Sequence, residues 1–227
     1  MPHVHVHAPH ELTEGGAPKA GGPDRSERAI ELFAVLLMSV TTLATAWSGY
    51  QAARWSGEQS QNYARASTMR IKSQEQATAA GQLRIDDLVL FNGWLDARES
   101  GNRELAAIYR RRFRPDFVPA FEAWTAQRPF TSPTPVPGPL YMPEYRLPES
   151  ARATALNASA DALYVAGTAA KDNGDSYILS TLFFAAVLFF AGISLRLLWR
   201  PLRLGVLGAA AALLLTGVIY VATLPIA

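Results

Sequence analysis

Three stretches of this chain, residues 29–48, 177–195 and 204–224, are almost free of charge, and they constrain the fold more than any other feature. A helix needs about 20 predominantly apolar residues to cross a hydrocarbon core of ~30 Å, and each stretch meets that length. The pattern predicts an all-α membrane protein with three transmembrane helices. The averages of 49% hydrophobic and 18% charged residues are those of an ordinary soluble domain, so the membrane character lies in how the apolar residues are distributed.

Charge asymmetry gives the direction. The loop 196–203 carries Arg196, Arg200 and Arg203 and no acid, which the positive-inside rule places in the cytoplasm. The N-terminus then lies inside and the C-terminus outside, and residues 49–176 stand on the outer face, which in a bacterium is the periplasm. The expected location is the bacterial inner membrane. Ala44-Thr45-Ala46 imitates a signal-peptidase site, but the first 29 residues hold three basic and four acidic side chains rather than a short basic leader. A retained anchor is the better reading.

Residues 1–28 are rich in His, Pro and Gly without apolar periodicity and read as a disordered cytoplasmic tail. Beyond the first span the helix is expected to continue outward over 51–80, where alanines suit close helix contact and bury little area. Gly81 marks a possible break. Leu83, Leu88, Phe91 and Leu95, with Trp94 beside them, then form an amphipathic helix closed by Gly101. A third helix carries Leu105, Ile108, Tyr109 and Phe113, and Pro119 opens a short fourth. Seven prolines over 129–148 favour extended chain, and the aromatics among them predict a segment that is ordered and packed. Ser150 is the expected N-cap of the last outer helix, with Leu156, Leu163 and Ala170 at heptad spacing. Lys171-Asp172-Asn173-Gly174 reads as its end, a continuous helix into the second span being the alternative. The sum is an extramembrane antiparallel helical bundle with a proline-rich extended segment.

Chemistry is sparse. There is no cysteine, so thiolate metal sites, disulfides and a cysteine nucleophile are excluded, and all four histidines fall in the first ten residues. His3, His5 and His7 are weak candidates for a divalent metal, set against a solvated tail; no cofactor is expected. Asp86-Asp87 point different ways on a helix, so paired acid–base work is not encoded and a surface position is expected. Arg110, Arg111 and Arg112 form the densest basic cluster, a candidate partner-binding patch weighed against simple complement to a helix dipole. Fifteen basic against fourteen acidic residues over 49–176 give no footprint for nucleic acid. Tyr141 and Tyr145 are the candidate partner anchors of the proline-rich segment. Gly205, Gly208, Ala209 and Ala212 form a small-residue stripe expected to pack against another helix, such as the second span. Ser39, Thr42, Thr45 and Ser48 recur every three residues; packing is preferred over a pore, since no ionisable group sits at mid-membrane.

The stretches Ala46-Trp-Ser-Gly-Tyr-Gln-Ala-Ala-Arg-Trp55, Gly81-Gln-Leu-Arg-Ile-Asp-Asp-Leu88 and Arg111-Arg-Phe-Arg-Pro-Asp-Phe117 resemble those of a family of uncharacterised bacterial inner-membrane proteins. The resemblance covers about residues 31–194 and implies three spans with an outer helical insert. It brings no activity and no site. The expectation is a non-enzymatic structural or accessory membrane protein that contacts the bilayer and either self-associates or joins a larger envelope complex. A periplasmic sensor acting through a separate partner is the alternative. An insert between two spans suits an input domain, yet only a short tail and an eight-residue loop are left inside to carry output.

Overall fold

A computed structural model describes residues 25–227, so His3, His5, His7 and most of the expected tail lie outside the described residues. Among the described residues five helices follow in order: α1 (Arg25–Glu99), α2 (Arg103–Arg111), α3 (Val118–Ala126), α4 (Pro148–Ser194) and α5 (Arg200–Thr223), with a 3-10 turn at Pro139–Tyr141. No strand occurs among the described residues. Three of the helices, α1, α4 and α5, contain windows long and apolar enough to cross a membrane. The expected tail boundary moves, because Arg25–Arg28 already belong to α1. Their turn is held by charge: Glu27 faces Arg200 at 3.9 Å, Ser26 hydrogen-bonds Arg200, and Glu31 lies 4.0 Å from Arg203.

The chain divides into two compact units. The first takes α1 up to Ser48, α4 from Leu179 and α5 to Thr223. Leu37, Val187, Ala191 and Ala210 form its core, with Phe184 fully buried and seated against Gly217. A Cβ on Gly217 would lie 2.8 Å from the Phe184 ring, so the glycine is what lets α5 approach. Large apolar residues such as Leu32, Leu43, Leu182 and Leu215 face outward, as lipid-facing positions must.

The second unit takes Gly49–Ile178 and Leu224–Ala227. Its long part pairs α1 with α4. Gly174 packs on Trp55, Gly167 on Tyr63, and Ser73 donates to the Ala153 carbonyl at 2.8 Å, so rising numbers on one helix meet falling numbers on the other. The seam is made of small residues: Ala66 and Ala80 of α1 and Ala153, Ala160 and Ala170 of α4 are buried. Two expected breaks are absent. A Cβ on Gly174 would lie in ordinary contact, 3.4 Å from the Trp55 Cβ, so the residue is an interior position of the helix pair rather than a helix stop, and α4 runs unbroken from Pro148 to Ser194. Gly81 sits inside α1, where buried Ala80 and half-buried Leu83 on either side keep the helix continuous at a propensity cost of ~1 kcal/mol. Pro148, in the first turn where its missing N–H is harmless, opens α4 two residues ahead of Ser150, the cap expected there.

The far part holds an aromatic core. Phe91 and Trp94 of α1 meet Phe113, Phe117, Phe121 and Trp124, with Met142 closing the cluster. The rings pack edge to face, as Trp94 does on Phe121 at 4.7 Å and Phe113 on Phe117 at 5.0 Å. The proline-rich segment lies on this core. Trp124 Nε1 donates to the Val136 carbonyl at 2.9 Å, Phe130 packs on Trp124 with the Arg98 guanidinium 4.2 Å above its ring, and Gly138 sits on Phe91. The inward face of α1 passes through Asp87 rather than Leu88, which is exposed.

Candidate functional site

The polar feature that organises the second unit is Asp87. It was expected at the surface, and it is 2% exposed. Helical spacing explains the position: Leu83, Asp87, Leu90, Phe91 and Trp94 lie on one stripe of α1, so the carboxylate enters the aromatic core with its neighbours. A buried carboxylate requires compensation. Arg114 Nη2 donates to Asp87 Oδ2 at 2.8 Å and Tyr145 OH donates to the same oxygen at 3.1 Å. Arg114 Nη1 also reaches Asp116 Oδ2 at 2.9 Å.

Burial opposes the charge on Arg114, but the hydrogen bond and charge of Asp87, with Asp116 behind it, outweigh it and leave the guanidinium pKa raised. Burial first, then the charge of Asp87 and the hydrogen bond to it, push the Tyr145 phenol up to about 12. Tyr145 stacks edge-on to Phe117 at 6.0 Å. The arrangement is a clasp. One carboxylate oxygen ties the loop after α2 and the end of the proline-rich segment to α1.

Beside the clasp, Pro115, Asp116, Pro119, Pro143, Glu144 and Arg146 line an open cleft of about 550 Å³. Its charged side chains are exposed. It offers a proline-walled surface of mixed charge and no buried polar group. Among the described residues, no group of three His, Cys, Asp or Glu stands where it could hold a metal ion.

The residues singled out from sequence scatter. Tyr145 was expected to meet a partner, but its hydroxyl is spent on Asp87 inside the chain. Tyr141 is 68% exposed on the 3-10 turn. Arg110 pairs with Glu122 at 3.1 Å and lies over the Phe121 ring, while Arg111 and Arg112 are exposed around the last turn of α2. Gly205, Gly208, Ala209 and Ala212 do not make the packing face of α5 within its unit: all four are exposed, and Leu207, Ala210 and Gly217 face inward instead. Leu207 and Ala210 are larger than the glycines they displace from the seam, and they bury more apolar area there. The hydroxyls of Ser39, Thr42 and Thr45 turn back onto carbonyls four residues earlier, at 2.9, 2.9 and 2.8 Å.

The class this fold defines is an all-α membrane protein whose long helices carry an aromatic, clasped head. No protein-family model, curated protein or solved structure matches the chain.

Proposed function

We propose that this chain is a non-enzymatic structural or accessory protein of the bacterial inner membrane, with residues 49–176 in the periplasm, that self-associates or joins a larger envelope complex. The observation that carries the reading is the continuity of α1, which extends from an apolar span to the clasped head without interruption. At ~1.5 Å per residue, residues 49–99 reach about 75 Å. A seam of Ala, Gly and Ser along so long a helix pair buries little area per turn, which suits a rod that is steadied by a neighbour. The role of residues 49–176 is to offer that neighbour a contact surface.

The test is purification in mild detergent followed by mass measurement of the protein particle. A particle heavier than one chain is expected. A strictly monomeric species with no co-purifying protein overturns the reading.

A further inference from the structure

The face of α1 turned away from α4 carries a second seam. Tyr50, Gly57, Ala64, Ile71, Thr78, Ile85 and Asn92 recur every seven residues, and Ala53, Ser60, Ser67, Gln74, Gly81 and Leu88 interleave with them at the alternating three and four spacing of a coiled coil. Every one of these positions is exposed. None carries a charge, although Arg54, Glu58, Arg65, Lys72, Glu75, Arg84 and Asp86 occupy the positions between them. A helix face meant for water is where charges are placed. Here they are kept off one line, and Ile71 and Ile85 stand 59% and 61% exposed on it.

The glycines point the same way. Gly167 of α4 lacks a Cβ because the Tyr63 ring fills the space. Gly57 and Gly81 meet nothing within 4 Å, so this chain gives no reason for a residue that costs about 1 kcal/mol in a helix interior relative to Ala.

We propose that two copies of the chain pair in parallel along this seam of α1, an inference that rests on the proposed function and names its partner. Three observations select a second copy. Two copies in one bilayer carry α1 out of the membrane in the same direction, so the seams lie side by side in register. Ile71, Thr78 and Ile85 are β-branched at one core position, the choice that favours two parallel strands, and Asn92 at the same position specifies register. The flanks are complementary: parallel register brings Arg70 of one copy to Glu75 of the other, sets Arg84 against Val89, and opposes no like charges. Arg70 already spans α1 to Asp161 at 3.3 Å, with both side chains about half exposed, so it sits at the rim where the second carboxylate joins.

The chain has no cysteine, so single cysteines can be placed along the full-length protein in its membrane without background. Each position from 70 to 89 is changed in turn, and the fraction of disulfide-linked dimer after mild oxidation is read on gels. Same-residue crosslinking is expected to peak at Ile71→Cys, Thr78→Cys and Ile85→Cys, about five-fold or more above Lys72→Cys and Gln76→Cys, as in-register knobs require. A flat profile, or peaks on another face of α1, overturns the pairing. Particle mass in detergent separates the two claims: a flat profile with a heavy particle removes this seam and leaves the proposed function, whereas a flat profile with a single-chain mass removes both.

Discussion

Asp87 and Tyr145 lie 58 residues apart in the chain, and the Tyr145 hydroxyl donates to Asp87 Oδ2 at 3.1 Å. The bond closes the proline-rich segment onto α1 and shares its acceptor with Arg114. Such a junction specifies a position more than it adds stability, since desolvating the ions offsets much of their attraction. Breaking it from one side is a different matter, because the partner charge is left behind.

Asp87→Ala strands Arg114 in a largely buried position. The expected loss is ~3 kcal/mol, at the low end for a broken buried pair because the Arg114 side chain keeps 18% exposure and Asp116 as a second partner. Asp86→Ala, one residue away and exposed, is expected to change stability by less than ~0.5 kcal/mol. Thermal unfolding followed by the fluorescence of Trp94 and Trp124 compares the two. Equal effects would remove the clasp from the account.

Raising the Tyr145 phenol from its ordinary 10.0 to about 12 makes it a pH-dependent contribution of definite sign. At pH values below 10 both folded and unfolded chains hold the proton and the contribution is fully present. Between 10 and about 12 the unfolded chain loses its proton first, so folding stability falls as pH rises. Tyr145→Phe is expected to be less stable at neutral pH by ~0.5 to 1.5 kcal/mol and to show a shallower decline through that alkaline window. Parallel declines in parent and variant would show that other groups set the alkaline limit.

The apolar runs and the helix signals of this chain are legible without coordinates, because length and hydropathy alone decide whether a helix crosses a bilayer. The short helices carrying Ile108 and Phe121 are legible too, being bounded by Gly101, Pro115 and Pro119. Gly81 and Gly174 mislead because glycine both ends helices and is carried inside long ones: Gly174 is buried beside Trp55, Gly81 is exposed with nothing within 4 Å, and neither setting is written in the local sequence. Asp87 misleads for a related reason: periodicity assigns Leu88 to the core and the acid to water, and the compensating Arg114 and Tyr145 arrive from distant sequence. On α5 two stripes are both apolar, and packing chose Leu207 and Ala210 over the glycine-rich one.

Gly167 tests the small-residue seam. A Cβ there would lie 2.5 Å from the Tyr63 ring, which is itself stacked on Tyr164 at 5.2 Å and bonded to Thr168 at 3.3 Å. Gly167→Ala should therefore destabilise by ~1 to 3 kcal/mol despite the better helix propensity of alanine. In a Tyr63→Ala background the clash is gone, and the same change should stabilise by up to ~1 kcal/mol. A double-mutant cycle in denaturant reads the reversal of sign. The same sign in both backgrounds would mean that Tyr63 does not set the spacing of the helices.

The proposed orientation, with the N-terminus inside, rests on Arg196, Arg200 and Arg203. A reporter active only outside the cytoplasm, fused after Ala227, is expected to be active, and one fused within the loop 196–203 inactive. Changing all three arginines to Gln removes the charge asymmetry on which the proposal rests and should raise the loop reporter's activity. An inactive C-terminal fusion in the parent would reverse the assigned orientation.

The segment Leu224–Ala227 is the least expected part of the second unit, and its bonds rank its variants. The Pro225 carbonyl accepts from Trp55 Nε1 at 3.1 Å and from Tyr177 OH at 3.2 Å, while the Ala227 N–H donates to Gln51 Oε1 at 3.1 Å. Trp55→Phe removes one of two donors to a carbonyl that keeps the other, so no polar group is orphaned and a loss of ~0.5 to 1.5 kcal/mol is expected. Gln51 is 1% exposed. Gln51→Ala opens a cavity at a buried site and deprives the Ala227 N–H of its acceptor, for an expected loss of ~2 to 4 kcal/mol. Gln51→Glu keeps an acceptor but buries a carboxylate with the Ala227 N–H as its donor, so at neutral pH it should be no more stable than Gln51→Ala. Thermal unfolding of the full chain in detergent orders the three. If Gln51→Ala proves no worse than Trp55→Phe, the tail is not held through Gln51 and the bond from Ala227 carries no stability.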